Sequence, residues 1–469
     1  MNATTTASPD GGISWAELPE SRDVEERLSA GKRLRARASR TSHAGWTAPA
    51  DRPDPLAVLA RDDASRMAEL LPVRYGRMSQ SPFTFFRGAA AVMASDLAST
   101  PLSGIRTQVC GDAHLLNFGG FATAERRLIF DVNDFDETCP GPWEWDLKRL
   151  LASVAVAARQ LDFRATQTEA CVLACAASYR EHVWQYSGEG VLEVWYARLD
   201  ERLLAATIRD AAERRRAEAA VDKARASDRA HFYPTISDTD PEGYRRIVDQ
   251  PPLLFHPGDD PGFGARAHSA FALYRASLDD ARRALVDRFR VVDAAYKVVG
   301  VGSVGTRCLV LLLMADEDDV LVLQAKEARA SALEPYVGAS AYKCGGERVV
   351  NGQHLMQAAS DLFLGWASDE SGRDFYIRQL RDMKSAANVD RMTFEELRQY
   401  VTACGWALAR AHSKAGGVAP LIAGYTGRGL TLDQALLAFA LDYAEQNERD
   451  YNALKAAVQS GAIAIRREN

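Results

Sequence analysis

The stretch YKVVGVGSVGTRCLVLLLMADEDDVLVLQAKEA, residues 296–328, decides the fold class. It carries Gly300, Gly302 and Gly305 in the spacing GxGxxG, which is typical of loops that surround phosphates. A dinucleotide-binding loop of this kind lies between a strand and a helix, because the helix N-terminus binds the pyrophosphate. Here two apolar runs follow the glycines, and a polar turn, ADEDD, separates them. The pattern therefore predicts a β-hairpin and not a strand followed by a helix.

A glycine loop that opens a hairpin is the arrangement of protein-kinase-like nucleotide lobes. There the loop folds over the ATP phosphates and a lysine on the third strand reaches them. Lys326 ends the second apolar run, where a buried lysine without an anionic partner would be costly. We predict that Lys326 binds phosphate; the alternative is a lysine at the exposed end of a strand. The predicted nucleotide-binding residues are Gly300, Gly302, Ser303, Gly305, Thr306, Lys326 and Glu347.

An acidic residue from the helix after this strand should pair with Lys326. Glu334 and Glu347 are both candidates, and Glu347 is favoured because it begins the helix-like stretch. Glu327 should point to the opposite face of the sheet, since side chains alternate along a strand.

The segment GDAHLLNFGG, residues 111–120, supplies a candidate catalytic loop. Asp112 and Asn117 have the spacing DxxxxN, in which the Asp acts as base and the Asn oxygen binds a metal ion. Phosphoryl transfer needs such a carboxylate and such an oxygen ligand for Mg²⁺. His114 is a further candidate for contact with substrate or metal, against the alternative of a hydrogen-bonded structural histidine.

The strand-like segment RRLIFDVNDFDE follows, with Asp131, Asp134 and Asp136. Three carboxylates in so short a stretch repel each other unless they are solvated or bind a cation, so a divalent metal, Mg²⁺ or Mn²⁺, is predicted. Asp134 ranks first because Phe135 follows it, as in the metal-binding DFG of kinases. Asp136 and then Asp131 follow it, and a solvated acidic turn is the alternative. Asp146, at the start of the next helix, is predicted to brace the catalytic loop.

These elements occur in the reverse of the usual order, because the catalytic loop precedes the glycine loop and helical residues 391–415 come last. A circular permutation restores the usual order, since it preserves packing if the old and new ends lie on exposed loops. The predicted fold is α+β: a circularly permuted protein-kinase-like fold with a small antiparallel-sheet nucleotide lobe and a large, mostly helical lobe. The predicted regions are a flexible arm (1–50), a helical lobe with the catalytic and metal-binding loops (51–290), the glycine-loop lobe (291–390) and C-terminal helices (391–469).

The motifs RMSQSPFTFFRGAA, GDAHLLNFGGF, FDVNDFDETCPGPWEWDLKRL, KVVGVGSVGTRC, LQAKEA, GQHLMQAASDLFLGW, FYIRQLRDMK and NERDY together resemble a bacterial family, domain of unknown function 2252. That family is grouped with protein-kinase-like and aminoglycoside-phosphotransferase-like folds, so the resemblance implies this fold from about Arg52 to the C-terminus. It implies no substrate. One departure is Gly417, in AHSKAGG, where the family pattern has an acidic residue.

The composition indicates which classes of partner and which cellular compartment to expect for the protein. With 57 basic and 63 acidic residues the net charge is −6, so nucleic acid is not an expected partner. The seven scattered cysteines contain no CxxC pair and indicate neither a disulfide framework nor a zinc site. The start of the chain lacks a signal-peptide pattern, and no apolar run is long enough to span a membrane. A cytoplasmic protein is expected.

The predicted function is an ATP- and Mg²⁺-dependent phosphotransferase acting on an unidentified small-molecule or protein acceptor. The alternatives are a nucleotide-binding pseudokinase or regulatory module, and a kinase-like enzyme that transfers AMP. A metallophosphoesterase is disfavoured, because such centres need several histidines and the eight here are not in suitable motifs. Arg87, Arg378 and Lys384 are candidates for binding an anionic acceptor, with surface salt bridges as the alternative.

Overall fold

Helices and small antiparallel sheets alternate along the chain. The computed structural model describes residues 15–16, 20, 23–200, 215, 219, 235–241, 244–258, 260, 262–316, 319–380 and 385–467. The helices are α1 Val24–Arg33, α2 Pro55–Asp63, α3 Leu71–Met78, α4 Pro82–Gly88, α5 Ala90–Leu97, α6 Trp143–Gln160, α7 Ala165–Ser187, α8 Val191–Tyr196, α9 Phe263–Ser277, α10 Asp280–Val286, α11 Glu334–Val337, α12 Gly345–Met356, α13 Phe394–Gly416, α14 Ala419–Thr426 and α15 Thr431–Gln459. The strands are β1 Arg106–Val109, β2 Phe118–Ala122, β3 Leu128–Val132, β4 Cys139–Pro142, β5 Leu199–Asp200, β6 Ser237–Thr239, β7 Arg245–Ile247, β8 Leu254–Phe255, β9 Arg290–Lys297, β10 Cys308–Met314, β11 Val320–Glu327, β12 Gly365–Ser368, β13 Asp374–Gln379 and β14 Ser385–Ala386. The mixed α+β class predicted from the sequence is confirmed.

The glycine stretch connects two strands of a sheet, as the hairpin prediction requires. β9 and β10 flank it, and β10 pairs with β11 in an antiparallel register that places Cys308 opposite Lys326. β11 also pairs with β13, where Tyr376 lies opposite Lys326. The order across this six-stranded sheet is β12-β13-β11-β10-β9-β8. A dinucleotide-type strand, loop and helix unit is therefore excluded for this segment.

This sheet region, the small lobe, begins earlier than the sequence predicted. β8 pairs with the edge of β9, and α9 packs on the face of the sheet that Leu311 and Leu323 present. These apolar side chains must be covered, and residues before 291 supply the cover. The sheet of the small lobe spans residues 254–379, and the β6–β7 hairpin packs on it, since the Ile247 N–H donates to Asp293 of β9. β14 instead pairs with β2 in the other region, the large lobe. The sheet therefore begins before residue 291, the predicted start of this lobe, and ends before residue 390, its predicted end.

Long helices form the core of the large lobe. α6 and α7 pack together with α13 and α15, and Trp143 stacks on Tyr179 with ring centroids 5.8 Å apart. α13 begins with a capping box in which Thr393 and Glu396 satisfy each other's backbone N–H groups. The predominantly helical character expected for residues 165–290 holds for α7 to α10, with short strands β5 to β8 between them. The charged segment within residues 201–234 lies almost wholly outside the described residues.

The expected flexible arm is structured wherever it is described from residue 23 onward. α1 crosses α14 so closely that a Cβ on Gly31 would lie 2.0 Å from the Leu421 carbonyl oxygen. Gly424 makes the reciprocal approach to Leu28, also at 2.0 Å, so both helices need glycine at the crossing. The segment GKRLRARASR, residues 31–40, is a basic run. Its Arg35 and Arg40 donate to the last carbonyl groups of α14. The run is therefore a docked helical segment.

Arg410 of α13 and Asp131 of β3 form a fully buried ion pair. Arg410 Nη2 donates to both carboxylate oxygens at 2.8 Å, and both side chains are 0% exposed. The Asp131 carboxylate also accepts from the backbone N–H of Ala358 at 2.8 Å. The pair fastens β3 to α13 in the core. Among the described residues, no helix has the length and apolar character needed to cross a membrane.

Asp131→Asn should lower the free energy of unfolding by about 3–5 kcal/mol, because it leaves a buried guanidinium without a counter-charge. Chemical denaturation measures the change. Glu395→Gln, on the exposed face of the same helix where Glu395 pairs with Arg398, is the matched control and should cost less than about 1 kcal/mol. Equal effects in the two variants would contradict the structural role of the buried pair.

Candidate active site

One cleft between the lobes collects most of the predicted site residues. The large lobe contributes the loop after β1 and the acidic turn after β3, and the small lobe contributes the glycine loop and β11. The residues that line the cleft include Asp112, His114, Asn117, Asp134, Asp136, Gly300, Gly302, Ser303 and Lys326. Two groups of residues that are far apart in the chain therefore meet at a single site.

Asp146 holds the loop that carries Asp112. Its two carboxylate oxygens accept from the backbone N–H groups of Cys110 at 2.8 Å and Gly111 at 2.9 Å. His412 Nε2 of α13 lies 3.2 Å from the same carboxylate. The side chain of Asn117 closes the loop, since its Nδ2 donates to the Asp112 carbonyl at 2.6 Å. Because Nδ2 makes this bond, Oδ1 is the atom of the Asn117 amide that can bind a cation. The bonds from Asp146 to the loop are the brace that the sequence predicted.

Arg149 of α6 fixes the Asp112 carboxylate. Its Nε donates to Asp112 Oδ1 at 2.5 Å, and its Nη2 donates to the Phe86 carbonyl at 3.0 Å. His114 Nε2 lies 3.8 Å from Asp112 Oδ2. The charge-assisted bond to Arg149 fixes Asp112 Oδ1 and leaves Oδ2 outside this bond.

Lys326 joins the two lobes through the acidic turn. Its ammonium group makes a short ion pair with Asp136 and lies 3.5 Å from Asp134 Oδ2. Tyr376 and Ser303 also donate to the Asp136 carboxylate, at 2.8 Å and 3.2 Å. Burial opposes the charge of Lys326, but the two carboxylates outweigh burial and raise its pKa well above the ordinary value.

The two carboxylates of the acidic turn have opposite pKa shifts. Burial and the neighbouring charge of Asp136 raise the pKa of Asp134. Burial also disfavours the charge of Asp136, yet Lys326 and the hydrogen bonds outweigh it and lower the pKa of Asp136 to about 2. Asp134 is thus the carboxylate whose charge is less well compensated by the protein, which is the condition for binding a cation.

The predicted partner of Lys326 was wrong. Glu334 lies near Arg348 instead, with Oε1 3.7 Å from Nε, and Glu347 is not among the residues that line the cleft. The register of α12 is the cause. Arg348, next to Glu347, faces the acidic turn and donates to the carbonyl groups of Asp136 and Thr138. Neighbouring residues on a helix point about 100° apart, so Glu347 faces elsewhere.

Asp131 does not belong to the predicted metal site, because its carboxylate is buried against Arg410. Asp134, Asp136 and Asn117 remain as oxygen donors in the cleft. Within the described parts of the chain, no group of three or more His, Cys, Asp or Glu side chains is arranged to hold a metal ion. Mg²⁺ commonly takes one or two protein carboxylates and completes its shell with phosphate oxygens and water. The donor set fits an ion of that kind that enters with a phosphate ligand.

Arg66, in the turn after α2, and Arg74 of α3 hold the glycine loop, and no local sequence pattern predicts these contacts. Arg66 Nη1 donates to the Gly302 carbonyl at 3.0 Å and to the Val304 carbonyl at 2.8 Å. Arg74 Nη1 donates to the Val301 carbonyl at 3.1 Å. Asp62 lies between these arginines, and despite burial their charges lower its pKa to about 2. The loop is therefore fastened to the large lobe by two arginines, of which Arg66 also lines the cleft.

Gly305 and Thr306 support the loop and are not among the residues that line the cleft. Gly305 has a φ of +88°, which L side chains rarely adopt, and its carbonyl accepts from the Met67 N–H at 2.8 Å. Thr306 Oγ1 donates to the Ser303 carbonyl at 2.8 Å. Their predicted nucleotide contact is replaced by this structural role.

Other residues also line the cleft: Gln324, which was not predicted, and two of the basic candidates for binding an anionic acceptor, Arg87 and Arg378. Gln324 lies two residues before Lys326 and so shares its face of β11, a relation that the strand period could have revealed. Arg378 of β13 lies opposite Gln324, and its Nη1 donates to the Asn133 carbonyl at 3.2 Å. Arg87, at the end of α4, also lines the cleft. Lys384, the third basic candidate, lies outside the described residues.

The fold and the cleft define a mixed α+β protein with a charged cleft between a sheet lobe and a helical lobe. A family model described as "Uncharacterized protein conserved in bacteria (DUF2252)" matches residues 66–457. The chain belongs to this family. Searches of curated proteins and of solved structures gave no significant match.

Proposed function

We propose that the protein is an ATP- and Mg²⁺-dependent phosphotransferase with a circularly permuted kinase-like fold. One observation carries the proposal. Asp112, Asn117 and Asp134 of the large lobe line the same cleft as Lys326 and the glycine loop of the small lobe. These are the residue types that phosphoryl transfer requires, brought together from two distant segments.

The topology of the small lobe supports the kinase-like interpretation. A strand, the glycine loop and a second strand are followed by β11, the third strand, which carries Lys326, and then by helix α12. In protein kinases the phosphate-binding lysine is on the third strand and a helix follows it. The family grouping with kinase-like folds agrees with this order.

The position of α13 supports the permutation. This helix is near the end of the chain, yet its last turn packs against β1, the strand that leads into the Asp112 loop. A Cβ on Gly416 would lie 2.9 Å from Thr107 Oγ1, and His412 contacts Asp146. The helix that precedes the catalytic loop in a standard kinase order is therefore adjacent to it in space. The chain reaches this arrangement with the two segments exchanged in sequence.

The proposed roles follow from the geometry. Asp112 orients the acceptor hydroxyl and accepts its proton, while Arg149 holds the carboxylate in place. Asn117 and Asp134 would hold Mg²⁺, which when bound would neutralise charge on the phosphate oxygens. Lys326 binds the phosphates and must exchange its contact with Asp136 to do so. The glycine loop, held by Arg66 and Arg74, forms the wall over the phosphates.

A regulatory nucleotide-binding module is the second candidate, and the pairing of Lys326 favours it. In active protein kinases a glutamate of the following helix pairs with the lysine, whereas here Asp136 of the acidic turn pairs with Lys326. A protein that keeps this pair would bind nucleotide without turnover. Transfer of labelled phosphate separates the two candidates.

Asp134→Ala should weaken the binding of ATP in the presence of Mg²⁺ by about tenfold or more, about 1.4 kcal/mol, because it removes a proposed ligand of the ion. Isothermal titration calorimetry measures the affinity. Asp287→Ala, which removes an exposed carboxylate of the small-lobe region that pairs with Arg275, is the matched control and should bind as the wild type does. Unchanged affinity in Asp134→Ala would contradict the metal role.

Asp112→Ala should reduce transfer of the γ-phosphate from ATP to an acceptor in a cell extract by about 10²–10⁴-fold, the contribution of a general base. The affinity for ATP should stay near that of the wild type, which shows that the variant is folded. Parallel reactions with α-labelled and γ-labelled ATP distinguish AMP transfer from phosphate transfer. ATP binding by the wild type without transfer of either label to the extract would favour the regulatory module.

A further inference from the structure

Two polar groups beside Asp112 have no hydrogen-bond partner in the described parts of the chain. They are Arg87 Nε and His114 Nδ1, both buried. His114 is 5% exposed, and both side chains line the cleft. Leaving a buried donor or acceptor without a partner destabilises a protein. Such groups in a cleft indicate that a ligand supplies the missing bonds.

The protein holds Arg87 in place through its neighbours in the chain. The carbonyl of Phe86, before it, accepts from Arg149, and the carbonyl of Gly88, after it, accepts from Arg74 Nη2 at 2.9 Å. Arg149 also binds Asp112, so one guanidinium connects the end of α4 to the proposed base. The position of Arg87 beside Asp112 is therefore built into the fold.

The charges around Arg87 leave it available for an anion. The carboxylates of Asp112 and Asp390 favour its charge, and the cation of Arg77 opposes it. Asp112 is already bonded to Arg149, and Asp390 accepts from Gln160 at 2.7 Å. Burial lowers the pKa of Arg87 despite these carboxylates. A guanidinium in this setting gains most from a carboxylate or phosphate, which it can bind through two parallel hydrogen bonds.

His114 adds a second group to the site. Its Nδ1 is buried without a hydrogen-bond partner among the described residues, and its Nε2 lies 3.8 Å from Asp112 Oδ2. A ring nitrogen in this position suits a hydroxyl group, which can either donate or accept a hydrogen bond.

The space beside these residues is limited. The cleft has a volume of about 160 Å³, and the glycine loop touches the end of α4, since a Cβ on Gly302 would lie 3.4 Å from the Arg87 carbonyl oxygen. Gly88, Ala90 and Ala91 form the adjacent wall. This enclosure favours a small molecule over a protein segment as the acceptor.

We propose that the acceptor is a small hydroxylated molecule that carries a carboxylate or phosphate group, and that Arg87 binds this anionic group. This inference rests on the proposed phosphotransferase function. His114 bonds a neighbouring hydroxyl, and Asp112 faces the hydroxyl that reacts. The bond between the γ-phosphorus and the β,γ-bridging oxygen breaks, and its electron pair leaves with ADP. The acceptor oxygen forms the new bond to phosphorus, and its proton passes to Asp112.

The test uses the full chain saturated with Mg²⁺ and the non-hydrolysable analogue AMP-PNP, so that the nucleotide-phosphate site is filled. Inorganic phosphate and malonate, which represent the two anionic groups, are then titrated separately by calorimetry. At least one should bind the wild type, and Arg87→Gln should bind it at least about tenfold more weakly. Arg87→Lys, which keeps the charge, should retain part of the affinity. Arg159→Gln, an arginine of α6 outside the cleft, is the matched control and should bind as the wild type does.

Several outcomes would overturn the inference. Neither anion binds the nucleotide-saturated wild type, or Arg87→Gln binds as tightly as the wild type does. Retained affinity of Arg87→Gln for AMP-PNP shows that this variant is folded. If Arg87→Gln does not fold, Arg87→Lys decides, and a folded Arg87→Lys that binds the anion as tightly as the wild type does would count against a role for the Arg87 guanidinium. A wild type that fails to bind AMP-PNP contradicts the proposed function itself, whereas AMP-PNP binding without anion binding contradicts only the nature of the acceptor.

Discussion

The ion pairs between Lys326 and the acidic turn are the contact on which the arrangement of the two lobes depends. A buried ammonium group loses several kcal/mol of hydration, and it is tolerated here because Asp136 and Asp134 compensate its charge. Tyr376 of β13 and Ser303 of the glycine loop also donate to the Asp136 carboxylate. Two parts of the small lobe therefore contact one side chain of the large lobe. Any anion that binds Lys326 must compete with Asp136, and any cation that binds Asp134 relieves the repulsion between the two carboxylates.

The walls of the cleft are fixed by backbone contacts of charged side chains. Asp146 holds the Asp112 loop by accepting from two N–H groups, and Arg66 and Arg74 hold the glycine loop by donating to its carbonyl groups. These contacts leave the cleft-facing side chains free to meet a ligand. Arg66 and Arg74 position a loop that lies more than two hundred residues later in the chain. The N-terminal region is therefore part of the support of the cleft.

Local patterns predicted the parts of the site that depend on spacing. The hairpin after the glycines and the pairing of Asp112 with Asn117 in one loop follow from residues close together in sequence. The brace at Asp146, which is 35 residues from Gly111, was predicted instead from the kinase-like pattern. The failures concern contacts between distant residues. Asp131 is bonded to Arg410, 279 residues away, so its burial could not be inferred from the acidic segment alone. Glu347 was chosen over Glu334 because it begins the helix-like stretch, but local patterns do not determine which face of α12 meets the acidic turn. The close crossing of α1 and α14 at Gly31 and Gly424 could not be predicted from the polar N-terminal region.

A crystal structure of the protein with Mn²⁺ and AMP-PNP tests the central claim most directly, because anomalous scattering locates the ion independently of the nucleotide. We expect an ion bound by Asp134 and Asn117, and phosphates on Lys326 beneath the glycine loop. The Lys326 ammonium group should then have moved away from Asp136. A nucleotide bound elsewhere, or a cleft in which the pair of Lys326 and Asp136 persists with no ion beside Asp134 at saturating ligand, would contradict it.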